Sequence, residues 1–233
     1  GLAGPGGTDV RGHFEEAVRL AEQSGVWWSL AFSAGFAGAS LGAFDPDAGE
    51  ALLQRGMDAA RRSGSPYAIG AVSMAQGRSL GRAGQTDAAV EAFGVAIQRF
   101  MELGDDRFVL ASRSDLAHAF RRGGRLDEAL ALYGETIGGW THLGHRGAVA
   151  NQLENIAYTE IERGNHERAT RLLGAAAAIR DSAQARMAFD EEPEFEEFVE
   201  RARAGLTPEV FDAAWAAGRV LTQAEAVAEA VGG

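Results

Sequence analysis

An all-α fold, a right-handed superhelical stack of antiparallel helix hairpins closed by a C-terminal helical cap, is what this chain's sequence predicts. Three observations carry the prediction. A Gly recurs at 84, 124 and 164 and a second Gly at 64, 104 and 144, each series with a strict interval of 40 residues. Ala89, Ala129 and Ala169 keep the same step, as do the apolar residues Leu53, Phe93, Tyr133 and Leu173. Within each period apolar residues return every three or four positions, as in Leu116, Ala119 and Phe120, then Leu126, Ala129, Leu130 and Tyr133. That spacing is one face of a helix, and each period holds two such faces.

The Gly between the two helices supplies the left-handed residue that ends the first, and the shared Ala lets the second approach closely. Pro46, Pro66, Pro193 and Pro208 fall at predicted helix boundaries, where a missing N–H costs little, and Pro5 lies in the Gly-rich start. The division expected is a flexible lead over 1–11, repeats over 12–182 and a helical cap over 183–233. The repeats comprise a partial unit at 12–25 and full units at 26–64, 65–104, 105–144 and 145–182. GHFEEAV from Gly12 has the spacing of a second helix, yet only eleven residues, four of them Gly, precede it. A hairpin does not bury its apolar face alone, so the chain is expected to be the C-terminal piece of a longer protein. In the cap, Thr207 with Pro208 and the box Thr222, Gln223, Ala224, Glu225 open two helices.

Composition narrows the chemistry. The 233 residues are 46% hydrophobic and contain neither Cys nor Lys, and all 22 basic residues are Arg. Disulfides, thiolate nucleophiles, Cys-containing metal sites, a Walker lysine and a Schiff-base lysine are excluded. The Arg, Ala and Gly excess reads as a GC-rich bacterial genome. A net charge of −11 opposes nucleic acid and anionic membranes over the surface as a whole. No stretch reaches the roughly 18 apolar residues of a membrane span and the start lacks the pattern of a signal peptide, so the cytoplasm is the expected compartment.

Four apparent motifs compete with blander readings. Gly77, Arg78, Ser79, Leu80, Gly81 fits a nucleophile elbow, but that device needs a strand before the Ser, and here it lies in a helix. His142 and His145 could share a metal, but they flank the Gly144 turn, where His caps or faces water. The acidic run Asp190, Glu191, Glu192, Glu194, Glu196, Glu197 is read as a solvated helix start favoured by the helix dipole. Trp27, Trp28, Phe32 and Phe36 are assigned to packing against the helix from Gly12, and Trp140 and Trp215 to packing as well. No convergent acid, base and nucleophile remains, so no catalytic residue, metal site or cofactor is expected.

The small residues Ala37, Gly77, Ala117 and Ala157, the turn Gly, the early Ala and the aromatic or Leu after it resemble the tetratricopeptide repeat over about residues 12 to 182. This unit is longer than the family's, and its first full repeat has Phe44, Asp45 and Pro46 where the turn Gly would stand. The tail RLLGAAAAIRD followed by EFEEFVERARAGLTPEVFDAAWAAGRVLTQAEAVAEAV resembles the C-terminal region of large bacterial transcription regulators of the signal-transduction ATPase, LuxR and antibiotic-regulatory types. That resemblance implies a helical-repeat sensor behind a nucleotide-binding switch, with any DNA-binding element outside this chain. The alternative is a free-standing adaptor or self-association scaffold.

In such arrays the first helices line a concave face. Projected here, that face holds Met74, Arg78 and Arg82, then Ser114, His118, Arg121 and Arg122, then Asn151, Glu154 and Tyr158. Arg78, His118 and Tyr158 share one repeat phase and are expected to form a row. The guanidinium groups suit carboxylate or phosphate, so the partner expected is a protein segment, peptide or small anionic effector. His118 would strengthen binding as pH falls toward about 6. No nucleic-acid or membrane contact is expected, and a homodimer is compatible with the sequence.

Overall fold

A computed structural model describes residues 10–187 and 191–232. Among them are twelve helices and no strand: α1 Val10–Ser24, α2 Trp27–Leu41, α3 Pro46–Ser63, α4 Pro66–Arg82, α5 Thr86–Glu102, α6 Asp106–Arg122, α7 Leu126–His142, α8 Arg146–Glu162, α9 His166–Ala183, α10 Glu192–Ala204, α11 Pro208–Arg219 and α12 Gln223–Val231. Pro5 and most of the expected lead lie outside the described residues, and α1 begins two residues before Gly12. No described helix is long and apolar enough to cross a membrane.

The two Gly series prove to be one. Gly64, Gly84, Gly104, Gly124, Gly144 and Gly164 all have positive φ, at successive intervals of 20 residues, so one device ends every helix from α3 to α8. At Gly104 its N–H donates to Met101 O (3.1 Å) and the next N–H, of Asp105, donates to Phe100 O (2.9 Å). This paired pattern satisfies the last carbonyls of α5 and requires a left-handed residue between them. Asp105 then caps α6 by accepting from Phe108 N (3.1 Å). One Gly and one cap residue thus turn the chain between α5 and α6 in very few residues, which keeps these two helices in contact. Nothing surrounds a side chain added at Gly104, so Gly104→Ala is expected to cost only the backbone term, about 1–2 kcal/mol. Chemical unfolding measures this, and Gly104→Asn, which tolerates the conformation better, should cost less.

The chain forms two compact units, Gly1–Gly124 and Arg125–Gly233. In the first, α2 packs on α3, α4 on α5, and the first helices α2, α4 and α6 lie side by side. One cluster joins Val18 and Ala21 of α1 to Leu30, Ala31, Met57, Ala60 and Val72. A second gathers Met74, Phe93, Ala96, Phe100 and Ala119. Pro46, Pro66 and Pro208 are the first residues of their helices and Pro193 the second of α10.

In the second unit α8 packs on α9, and Ala129, Tyr133, Leu153, Ala157, Ala169 and Leu173 are buried. The cap closes on α9. There α11 crosses at Gly174 and Gly218, where any Cβ would overlap the carbonyls of Trp215 and Arg171 respectively. Thr207 and Thr222 cap α11 and α12, the latter as a full capping box with Glu225. Arg168 fastens the end of α12 by donating to the carbonyls of Glu229 (2.8 Å) and Ala230 (3.0 Å), while also reaching buried Glu160 (3.0 Å).

Candidate functional site

The expected binding residues divide between the two units. In the first, Arg78 lies on α4 with its side chain 45% exposed, and its Nε donates to Asp115 Oδ2 of α6 at 2.6 Å. Arg82, one turn on, is exposed and donates to the carbonyl of Ala39 at the end of α2. Arg122 is exposed at the end of α6. Burial pushes the Asp115 carboxyl upward, against the pull of Arg78 and then of Arg122 and Arg82. A shielded carboxylate therefore sits among three guanidinium groups. His118 is half-buried one turn before Arg122.

Met74, Ser114 and Arg121 are not on an open face: they are 9%, 6% and 3% exposed. Met74 belongs to the core around Phe93, and Arg121 is about 100° around α6 from its exposed neighbour Arg122. The projection counted these three on the open face, whereas the packing of α4, α5 and α6 leaves them buried.

In the second unit the corresponding face is covered by the chain itself. Tyr158 is 3% exposed and stacks on Phe198 of α10, with ring centroids 4.3 Å apart. Asn151 Nδ2 donates to Glu191 Oε1 at 3.1 Å. Glu154 is buried beneath a two-bond fork from Arg180, at 2.6 Å from Nε and 2.7 Å from Nη2. Burial pushes the Glu154 carboxyl up despite that fork, and Glu191 adds to the rise. Burial works to loosen the Arg180 proton, but the Glu154 fork and the charges of Glu154 and Glu191 together outweigh it and hold that proton more tightly. Glu154 and Tyr158 are thus corrected from groove residues to seats for α10.

The aromatic residues of α2 also depart from expectation. Phe32 is partly buried and meets Tyr67, but Trp27, Trp28 and Phe36 are 42%, 58% and 68% exposed. The reason is geometric. α1 covers the Leu30 and Ala31 side of α2 and reaches this stripe mainly through the edge contact of Phe14 with Phe36. Arg62 lies over the Trp27 ring at 4.9 Å. Trp140 is buried as expected, and Trp215 is partly buried on Phe211.

The remaining motifs resolve into structure. Ser79 lies inside α4 with no strand before it, and Gly77 lies under the Phe93 ring. His145 Nδ1 accepts from Ala148 N (3.2 Å) and caps α8, so that nitrogen serves the helix. In the acidic run, Asp190 lies outside the described residues, Glu192 and Glu194 occupy the first turn of α10, and Glu191 reaches Asn151. Two participants escape a sequence reading, Asp115 and Arg180. A signal existed for the first: the phase 35, 75, 115, 155 reads Gly, Ala, Asp, Asn, and a carboxylate among small residues on an Arg-rich helix marks a pairing site.

The fold is a helical-repeat scaffold, a kind that binds protein partners. Residues 109–142, most of α6 through the end of α7, match the tetratricopeptide repeat family. The chain therefore carries a tetratricopeptide-like region, and such regions bind proteins or peptides and are typically non-catalytic. No curated protein sequence matches the chain.

Proposed function

We propose that the chain is the sensing or interaction part of a bacterial transcription regulator and does no chemistry of its own. Its first unit binds a protein segment, peptide or small anionic effector along the first-helix face. The observation that carries this reading is the placement of Arg78, Arg82 and Arg122 about Asp115, at or near the surface, in a protein of net charge −11. Guanidinium groups offer planar, bidentate recognition of carboxylate or phosphate, and a local cationic field in an acidic molecule selects anionic partners by contrast. The regulator context rests on the resemblance of the tail and expects a P-loop ATPase and a DNA-binding module to be encoded upstream.

A selection of displayed helical peptides on the full chain tests the binding reading. Acidic sequences should be enriched, and the enrichment should vanish for Arg78→Ala/Arg122→Ala with helicity unchanged by circular dichroism. No enrichment, or the same set on the double variant, would overturn it. The aromatic exposure on α2 favours a second reading, a self-association scaffold, which the experiment below separates.

A further inference from the structure

The second unit contains a worked example of what a first helix of this chain holds. Asn151 and Tyr158 stand seven positions apart on α8, and Glu191 and Phe198 seven positions apart at and in α10. The contacts join 151 to 191 and 158 to 198, so the two helices run the same way, with an acid at one end and an aromatic ring two turns on. The segment doing this is strongly acidic and aromatic, EEPEFEEFVE over 191–200. Its seat offers an amide, a ring and, beside them, Arg180, 3.9 Å from Glu191.

The first unit presents a related combination in the open. Trp28, Phe32 and Phe36 stand four residues apart on α2 and so form one stripe along the helix. Phe32 continues the stripe laterally through Tyr67 to Phe108. One turn beyond Phe36, Arg82 lies on the carbonyl of Ala39, and Arg78 lies one turn before Arg82 on the adjacent α4. From Trp28 to Ala39 is about 16 Å along the axis, room for three turns of a docked helix. We propose that this stripe and its two arginines dock an acidic helix carrying aromatic side chains, of the same chemistry as residues 191–204. The polarity follows from the charges: the acidic start meets Arg82 and Arg78 at the end of α2, and the aromatic residues run back toward Trp28. The docked helix is therefore antiparallel to α2. Charge complementarity sets its direction, and the apolar stripe supplies the area that a rim ion pair alone lacks.

This inference rests on the partner-binding reading above and adds to it the aromatic requirement, the α2 seat and the direction. The probe is a labelled synthetic peptide of residues 191–204, titrated with the full chain and followed by anisotropy. In the full chain the tethered α10 holds its own seat at an effective concentration on the order of millimolar, so a peptide binding in trans reports another seat. Saturable binding is expected, weakened at least about tenfold by Trp28→Ala/Phe36→Ala, two exposed residues whose loss should leave the fold intact. The same loss is expected for a peptide with Phe195→Ala and Phe198→Ala. Added salt should weaken the wild-type complex.

Three results would overturn the proposal. One is an absence of binding. Another is binding that ignores Trp28→Ala/Phe36→Ala but is lost on Tyr158→Ala, which would place the peptide on α8. The third is a concentration-dependent dimer abolished by Trp28→Ala/Phe36→Ala, which would make the stripe a contact between copies of this chain. Enrichment of acidic peptides without aromatic residues in the display selection would leave the partner-binding reading standing while removing this one.

Discussion

Phe93→Ala is expected to destabilise the chain by about 3–5 kcal/mol in chemical unfolding, the range for emptying a fully buried aromatic site. Phe93 is completely buried, and its ring lies over Gly77 so closely that a Cβ built there would be 2.8 Å from two ring atoms. The glycine is thus the hollow into which the ring fits, and the two residues form one packing unit between α4 and α5. Gly77→Ala alone should cost about 1–3 kcal/mol by overpacking, because a ring fixed on every side has little room to yield. The pair should not be additive. With Phe93→Ala in place the added methyl enters the space the ring vacated, so Gly77→Ala should then cost little or partly compensate. Additive losses would mean that the ring and the glycine do not meet.

That packing unit illustrates what a sequence of this type discloses. Phe93 shares its phase with Leu53, Tyr133 and Leu173, and Gly77 with Ala37, Ala117 and Ala157, and all eight are buried. A periodic interior is legible because neighbouring repeats solve the same burial problem with the same residues. The turns are legible for a related reason: from α3 to α8 a residue at ease with positive φ ends each helix, and Gly is that residue.

The candidate face was far less legible. Projection by phase treats every first helix as if its outer side met the same surroundings. Arg78 and Arg82 do reach the surface, but Tyr158 meets Phe198 from a helix forty residues away in sequence and outside the period. Non-periodic segments choose their contacts through particular side chains, and no repeat pattern encodes that choice. The same limit explains Trp28 and Phe36. Their residue type argued for burial, whereas their exposure depends on how much of α2 is covered by α1.

Arg180→Met is expected to lower stability by about 3–5 kcal/mol near neutral pH, because it strands a buried carboxylate. Glu154 is 2% exposed and takes both of its strong bonds from Arg180, whose own side chain is 11% exposed. The penalty should depend on pH with a definite sign. Burial already places the Glu154 carboxyl above its ordinary value, and Glu191 pushes the same way. Removing the Arg180 pull raises it further. A folded-state value above the unfolded one means that the folded chain binds the proton first as pH falls. The cost is therefore complete above the raised value and is relieved as pH drops through it toward the unfolded range of about 4.3. Urea unfolding should show a larger gap between wild type and Arg180→Met at pH 7 than at about pH 5. Adding Glu154→Gln to Arg180→Met should recover part of the loss at pH 7 and remove the pH dependence, since no buried charge remains to be stranded. A penalty equal at both pH values, or a double variant as weak as the single one, would mean that Arg180 supports this unit through packing alone. The seat of α10 would then owe its strength to the Tyr158 and Phe198 stack and not to the ion pair beneath it.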